Sequence, residues 1–133
     1  MDEVFEPLRW RDLDYFGHVY HGEYLTLLDE ARGSWLGGAA GGPGLRDPET
    51  YVVARVEIDF VSSLTREDRG VHIGFVVERV GRTSLTLRET MRGGDGREVA
   101  RVRSVIVLWD RVAAGSRPFD DDERARVEAL VAP

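Results

Sequence analysis

The sequence has 133 residues, a formal net charge of −6 and no cysteine. A chain of this length can bury enough surface for one compact core, so we expect residues 1–133 to form a single domain. The absence of cysteine excludes disulfides, thiolate zinc ligands and a cysteine nucleophile. The acidic balance argues against a nucleic-acid partner, which is usually met by a basic face.

All 18 basic residues are arginine, so a lysine nucleophile or a Schiff-base lysine is also excluded. Residues 1–10 lack the basic start and the apolar stretch of a secretion signal. The longest nearly unbroken apolar run, 105–109, is too short to span a bilayer. These observations predict a cytoplasmic protein with no membrane partner.

The first predicted elements are a short strand within residues 4–10 and a long helix that begins near Val19. From that residue onward the apolar side chains recur at helical spacing, which predicts one buried helix face. That face consists of Tyr20, Tyr24, Leu27, Leu28, Ala31 and Trp35. The glycine-rich segment 37–44 cannot remain helical. We interpret it as a tether rather than a phosphate-binding loop, because the lysine and hydroxyl residue of a P-loop are absent.

After Pro48 the apolar period drops to two, which predicts β-strands. The first of these strands has an apolar face formed by Val52, Ala54, Val56, Ile58 and Phe60. Further strands are predicted near 71–77, 85–91 and 97–109, in hairpin succession, with a turn at 93–96. A helix over 119–131 follows, with acidic residues at its start. Four strands with one apolar face each need a cover. The expected fold class is therefore α+β, an antiparallel sheet wrapped around one central helix.

Reactive side chains are concentrated in the loop before the long helix, where Asp12, Asp14, His18 and His21 lie close together. The first backbone N–H groups of a helix are unpaired and carry partial positive charge. A carbonyl oxygen docked there would be stabilised as in an oxyanion hole. A nearby carboxylate could attack that carbonyl or activate water. The loop therefore predicts acyl transfer.

Two other interpretations of this loop stay open. An aspartate just before a helix is most often its N-cap, and both aspartates could serve in that way. Asp14, His18 and His21 are also metal-ligand types, but their spacing matches no established zinc pattern, and we expect no metal. Neither a Gly-x-Ser-x-Gly elbow nor a dinucleotide fingerprint occurs in the sequence.

Residues 9–21, Tyr24-Leu25 and Glu30-Ala31-Arg32 follow a longer pattern. It is Asp-x-Asp-x-x-Gly-His/Val-Val, then Tyr, then a Glu-x-Ala-Arg-like helix end. In these residues, and at 60–70, 81–84 and 105–110, the chain resembles the hot-dog-fold acyl-CoA thioesterases of the 4-hydroxybenzoyl-CoA thioesterase type. The resemblance implies a hot-dog fold and hydrolysis of an acyl-CoA or acyl-carrier-protein thioester. It implies no cofactor beyond the CoA of the substrate.

The same resemblance assigns roles to individual residues. Asp14 corresponds to the catalytic carboxylate, a nucleophile or general base. The backbone N–H that polarises the carbonyl falls on His21, whose side chain is expected to assist. The tyrosine that one branch of the family carries is replaced by Trp10, so a role for that hydroxyl does not transfer. The residues expected to contact the substrate are Gly17, His18, Tyr20, Tyr24, Arg82, Thr83 and Ser84, the last three through the CoA phosphates.

The resemblance further implies a homodimer or homotetramer in which two sheets join edge to edge and the active site lies between copies. An exposed sheet edge independently favours such pairing. Two other functions stay open: a hot-dog enzyme that hydrates an enoyl-CoA, although the Asp–His pattern of those hydratases is absent, and a non-catalytic acyl-CoA-binding module. The acyl group itself is not indicated by the sequence.

Overall fold

The computed structural model describes residues 2–133, which form one antiparallel sheet and two α-helices. Short 3-10 turns lie at Trp10–Asp12, Ala39–Gly41 and Arg66–Asp68. The elements in chain order are β1 (Glu3–Pro7), α1 (Glu23–Leu36), β2 (Tyr51–Phe60), β3 (Gly70–Val80), β4 (Ser84–Arg92), β5 (Glu98–Asp110), β6 (Gly115–Ser116) and α2 (Asp121–Ala129).

The strand order in the sheet is β1-β3-β4-β5-β2, and β6 pairs with the end of β5. The predicted antiparallel sheet is confirmed, and β3, β4 and β5 follow one another as hairpins. The predicted hairpin succession is wrong for β2, which pairs with β5 at the far edge. The connection 61–69 does not turn back on β2, because it is held by the loop before α1. There the Val19 N–H donates to the Leu64 carbonyl at 2.8 Å, and His18 pairs with Thr65.

The long helix α1 supplies the cover that the sheet needs. Leu27, Leu28 and Ala31 are almost completely buried on its predicted face, and the Trp35 ring stacks on Phe75 with 4.8 Å between ring centroids. The helix begins at Glu23, later than predicted, and Tyr20 is 54% exposed rather than part of the buried face.

The late start of α1 has a local cause. Leu13 and Val19 form an antiparallel bridge, and the Tyr20 N–H donates to the Asp12 carbonyl at 3.1 Å. The backbone at Tyr20 is therefore bound to the preceding loop and cannot begin the helix. The Tyr20 carbonyl accepts the Glu23 N–H at 2.9 Å in a three-residue turn, so the apolar spacing continues through Tyr20 without an α-helical hydrogen bond there.

Strand β2 carries an irregularity that changes its apolar face. The register shifts between Val53 and Arg55, so Val53, and not Val52 as predicted, lies opposite the buried Ile106. The extra residue Ala54 is the bulge, and one extra residue moves the preceding side chains to the other face. Several apolar residues of β2 remain exposed, among them Val53 at 43%, Val56 at 37% and Phe60 at 51%, whereas Tyr51 and Ile58 pack partly against the core.

The predicted C-terminal helix is confirmed as α2, and Asp120 caps it by accepting the Glu123 N–H at 2.8 Å. Glu123 is buried and accepts hydrogen bonds from Arg117 Nη1 at 2.8 Å and from the Arg46 N–H at 2.9 Å. Burial alone would raise the pKa of Glu123, but these hydrogen bonds outweigh it and lower the pKa to about 2. Of the helices in residues 2–133, none has the length and apolar character needed to cross a membrane.

We expect the Arg117–Glu123 pair to make stability depend on pH. The folded pKa of about 2 lies below the ordinary value of 4.5, so the contribution is present above pH 4.5 and is lost as the pH falls toward 2. That difference corresponds to roughly 3 kcal/mol. When the pH is lowered from 5 to 2, the free energy of unfolding of the wild type should fall further than that of Glu123→Gln, and the difference between the two decreases should be about this amount. Chemical denaturation at both pH values measures it. Equal pH dependence in the two proteins would contradict the assignment.

Candidate active site

The two aspartates of the loop before α1 have different surroundings. Asp12 is fully buried and ends the 3-10 turn, where its carboxylate accepts the Arg9 N–H at 2.8 Å and the Arg9 Nε–H at 3.2 Å. Its carbonyl also holds the Tyr20 N–H. Asp12 is therefore a structural residue that locks the loop in place.

Asp14, by contrast, is exposed and shapes the turn that follows it. Its Oδ1 accepts the N–H groups of Phe16 at 2.9 Å and His18 at 3.1 Å, and the Gly17 N–H donates to its carbonyl at 3.1 Å. The second carboxylate oxygen, Oδ2, receives no hydrogen bond from any residue in 2–133. One oxygen thus anchors the side chain while the other stays free to react.

Neither aspartate caps α1, so the capping interpretation is wrong for this helix. The N-cap is Gly22, which has no side chain to donate or accept a bond. A Cβ at Gly22 would lie 2.8 Å from the Tyr20 ring, so glycine allows that ring to cover the helix start. Within the described part of the chain, the N–H groups of His21 and Gly22 find no acceptor. They are free donors at the positive end of the helix dipole.

A cleft of about 450 Å³ brings most of the predicted site residues together. Its lining is Asp14, His18, Val19, Tyr20, His21, Tyr24, Phe60, Val61, Ser62 and Ser63. Gly17 lies outside this lining and, with Asp14, Trp10 and Arg66, borders a second cleft on the other side of Asp14. Asp14, with its free oxygen, and His21, with its free backbone N–H, therefore line the same cleft.

Aromatic rings form one side of the cleft. The Tyr24 ring lies 5.1 Å from the Phe60 ring, and the His21 ring lies 4.3 Å from Tyr20 and 6.3 Å from Phe60. The buried Tyr24 hydroxyl accepts the Leu64 N–H at 3.0 Å, and burial raises its pKa. Tyr24 therefore keeps its proton and remains able to donate it in a hydrogen bond.

The segment Phe60–Ser63 is the part of the cleft that sequence reasoning missed. Phe60 ends β2, and the residues after it reach the loop before α1 through long-range contacts, the pairing of His18 with Thr65 and the Val19 N–H bond to the Leu64 carbonyl. No local motif marks it. The one available signal is that residues 60–70 carry part of the family resemblance.

The predicted CoA-phosphate residues lie elsewhere in the same chain. Arg82 and Thr83 lie in the turn between β3 and β4, and Ser84 is the first residue of β4; the Thr83 carbonyl accepts the Leu108 N–H at 2.8 Å. Ser84 pairs with Val107, whereas Phe60 pairs with Ala100 near the other end of β5. At the rise of a β-strand these positions are roughly 20 Å apart. Within one chain the turn does not join the Asp14 cleft.

Residues 2–133 contain no group of three or more His, Asp or Glu side chains arranged to hold a metal ion. The third histidine, His72, lies on β3 with its ring 4.9 Å from Phe5, in a packing contact.

Comparison with known proteins agrees with this fold. A family model described as the thioesterase-like superfamily matches residues 8–127. The chain belongs to the thioesterase-like superfamily. None of the curated proteins compared matches the sequence. The sheet around one long helix is the hot-dog fold that the sequence predicted.

Solved structures of similar proteins extend over almost the whole chain. A thioesterase from Thermus thermophilus, in complex with coenzyme A and zinc, is 26% identical, with a TM-score of 0.79 over 97% of this chain and 92% of that one. A predicted thioesterase from Bacillus stearothermophilus is 24% identical, with a TM-score of 0.78 over 98% and 96%. A DHNA-CoA thioesterase from Staphylococcus aureus is 17% identical, with a TM-score of 0.80 over 97% and 91%. The last two likenesses concern the fold.

Proposed function

We propose that this protein hydrolyses an acyl-CoA thioester to a free acid and CoA. The observation that carries the proposal is the cleft lined by both Asp14, whose Oδ2 is free, and His21, whose backbone N–H is free at the start of α1. Acyl transfer requires these two parts, a base or nucleophile and a preorganised site for the developing oxyanion. Membership of the thioesterase-like superfamily supports a thioester as the substrate.

In the proposed reaction the thioester carbonyl oxygen accepts hydrogen bonds from the N–H groups at the start of α1. Asp14 Oδ2 then either attacks the carbonyl carbon, which gives an acyl-Asp14 anhydride that water hydrolyses in a second step, or removes a proton from a water that attacks the carbon directly. The new bond is C–O, the bond that breaks is C–S, and the leaving thiolate takes up a proton. The side chain of His21, at the rim of the same cleft, is placed to supply that proton. Oxygen-18 water followed into Asp14 would separate the two routes, because only an acyl-Asp14 anhydride can leave the label in the enzyme carboxylate.

The substrate-binding part of the proposal assigns His18, Tyr20 and Tyr24 to the acyl thioester, since they line the cleft. Arg82, Thr83 and Ser84 remain the candidates for the CoA phosphates. Because they lie far from the cleft of their own chain, they would serve a substrate that extends across a subunit boundary. CoA bound to the similar Thermus thermophilus thioesterase supports a CoA ester over a carrier-protein ester.

The experiment that tests the function is a panel of acyl-CoA substrates, short-chain, long-chain and aromatic, with thiol release as the readout and mass spectrometry of the products. We expect free acid and CoA from at least one member. Tight binding without any product would support the acyl-CoA-binding module instead, and a hydrated acyl-CoA with its thioester intact would support the hydratase.

A second copy of the chain completes the proposed site. Within residues 2–133, strand β2 pairs only with β5, and its other edge therefore carries unpaired backbone groups beside exposed Val53, Val56 and Phe60. Native proteins rarely leave such a long edge open. Antiparallel pairing of β2 with its copy about Val56 would place Arg55 opposite Glu57 of that copy. Phe60 belongs both to this strand and to the cleft, so the same pairing would add a wall to the active site.

We expect Val56→Asp to separate the copies and to lower kcat/KM by about 10²-fold, because the cleft loses its opposing wall and the thioester its alignment. Val112→Asp is the matched control, since Val112 is 99% exposed in the loop after β5. Sedimentation velocity gives the mass and thiol release the rate. A Val56→Asp protein that stays dimeric, or that is monomeric and fully active, would contradict the proposed pairing.

A further inference from the structure

The turn between β4 and β5 is bound to the cleft wall by one side chain, Arg97. Its Nη1 donates to Asp68 Oδ1 at 2.8 Å and to Asp95 Oδ1 at 2.8 Å. Its Nη2 donates to Asp68 Oδ2 at 2.9 Å and also to the carbonyl oxygen of Ser63. One guanidinium therefore joins the hairpin turn, the 3-10 turn before β3 and the wall of the active-site cleft.

Asp68 is built to hold that guanidinium. It is buried, and in addition to Arg97 it accepts the N–H groups of Thr65 at 2.8 Å and Gly94 at 2.9 Å. The hydrogen bonds from Arg97, with those from the two backbone groups, hold the pKa of Asp68 well below its usual value despite burial. The carboxylate thus stays ionised and fixes the orientation of the arginine.

The glycines of the hairpin allow this close contact. A Cβ at Gly93 would lie 2.6 Å from Asp68 Oδ1 and 2.7 Å from Arg97 Nη1, and a Cβ at Gly94 would lie 2.9 Å from the Asp68 carbonyl oxygen. Neither glycine has a positive φ, so the turn itself does not require them. They are needed because a side chain would displace the Asp68–Arg97 pair.

The wall segment, residues 61–64, is fixed at every position. The N–H groups of Val61 and Ser62 donate to the Val99 carbonyl at 2.9 and 3.3 Å, and Ser62 Oγ donates to the Glu98 carbonyl at 2.7 Å. Leu64 is held by Tyr24. In this segment, Ser63 is the residue whose backbone N–H makes no such hydrogen bond. Ser63 is held instead through its carbonyl oxygen, which accepts a hydrogen bond from Arg97 Nη2. Ser63 lines the cleft, and its hydroxyl makes no hydrogen bond with another residue in 2–133.

We propose that Arg97 is a positioning residue for the active site. By fixing the Ser63 carbonyl it sets the place of the Ser63 hydroxyl in the cleft, and hence the path of the substrate past Asp14. Arg97 does not line the cleft and acts only through this segment. The inference rests on the proposed thioesterase function, because it concerns substrate alignment in that cleft.

A lysine in place of Arg97 separates the two tasks of the guanidinium. A single ammonium nitrogen can keep an ion pair with Asp68, but it cannot also reproduce the fork that reaches the Ser63 carbonyl. We therefore expect Arg97→Lys to keep a melting temperature well above the assay temperature. Asp95→Asn is the matched control, because it weakens an exposed bond of the same guanidinium without involving Ser63.

The test compares kcat/KM of the two variants and the wild type on one aromatic and one short-chain acyl-CoA, and hydrogen exchange of residues 61–64. For Arg97→Lys we expect a fall of about tenfold, a changed ratio between the two substrates and faster exchange of the segment. Asp95→Asn should match the wild type in all three. A loss that is equal for both substrates, or unchanged exchange, would overturn the inference, since a purely structural role lowers all rates alike. A wild type that hydrolyses no thioester would refute the proposed function, whereas the exchange measurement would still report on the wall.

Discussion

Replacing Asp14 by asparagine is expected to lower kcat by about 10²–10⁴, the range typical of losing a general base. Asparagine keeps an oxygen that can accept the N–H groups of Phe16 and His18, so the loop should hold its shape. What disappears is the charge and basicity of the free Oδ2. The melting temperature should therefore stay close to that of the wild type while thiol release falls.

Asp12→Asn is the matched control for this prediction, because it makes the same chemical change in the same loop. Asp12 is buried against Arg9, so its loss should lower the free energy of unfolding by about 1–3 kcal/mol. Rates measured well below the melting temperature should change far less than in Asp14→Asn. Full activity of Asp14→Asn, or an equal loss of kcat in both variants, would remove Asp14 from the role proposed for it.

The largest effect on stability is expected from Arg32, whose guanidinium lies in the core beneath α1. It donates to Glu89 Oε2 from Nη2 at 2.8 Å and from Nε at 3.1 Å, and both residues are almost completely buried. The other carboxylate oxygen of Glu89, Oε1, accepts a hydrogen bond from Ser104 Oγ at 2.6 Å. Asp29 Oδ1 accepts a hydrogen bond from Arg32 Nη1, also at 2.6 Å. Arg32→Met leaves Glu89 buried without a counter-ion, which should cost about 3–5 kcal/mol.

The loss in Arg32→Met should depend on pH in a defined direction. Burial raises the pKa of Glu89 even in the wild type, where the charge of Arg32 opposes the rise. Without Arg32 the pKa of Glu89 rises further. A carboxyl whose folded pKa exceeds its unfolded pKa costs stability above that unfolded value, and the cost shrinks as the pH falls toward it. Denaturant titrations at pH 8 and pH 5 should therefore give a smaller deficit at pH 5.

Two further variants make this prediction specific. Arg32→Met combined with Glu89→Met should be more stable than Arg32→Met alone, because it removes the unpaired charge. Arg101→Met breaks the exposed pair of Arg101 with Glu98 and should leave the stability nearly unchanged, because solvent screens such a pair. A double variant no more stable than the single one would show that packing, rather than the buried charge, controls the loss.

Much of the secondary structure could be predicted, because apolar spacing decides which face of an element can be buried. Leu27 on α1, Ile73 on β3 and Ile106 on β5 are fully buried on the faces that their spacing indicated. Glu89 lies on the same, inward-facing side of β4 as Leu87 and Met91. An acidic residue among apolar ones on that face was the available sign of the buried ion pair, but its partner Arg32 lies on α1, far away in the sequence.

The position of β2 could not be predicted from the same spacing. Its alternation is as regular as that of β5, yet β2 forms the sheet edge and leaves Val53 and Val56 exposed. The spacing of apolar residues indicates which face of a strand is apolar, whereas the order of the strands in the sheet depends on which distant segments pair with one another. The bulge at Ala54 adds a local shift that no pattern of residue types marks.

The sequence by itself determined the family, the central helix and the loop in which the candidate reactive groups lie. With cysteine and lysine absent, it also pointed to a carboxylate as the reacting group. The tertiary structure decided which of the two aspartates is available, since Asp12 is buried against Arg9 while Asp14 keeps one oxygen free. It also decided that Ser62 and Ser63 form the cleft wall and that Arg97 holds it. These last facts depend on contacts between segments that are far apart in the sequence. The burial and the hydrogen-bond partners of such residues are determined by how the chain folds back on itself, and not by their neighbours in sequence.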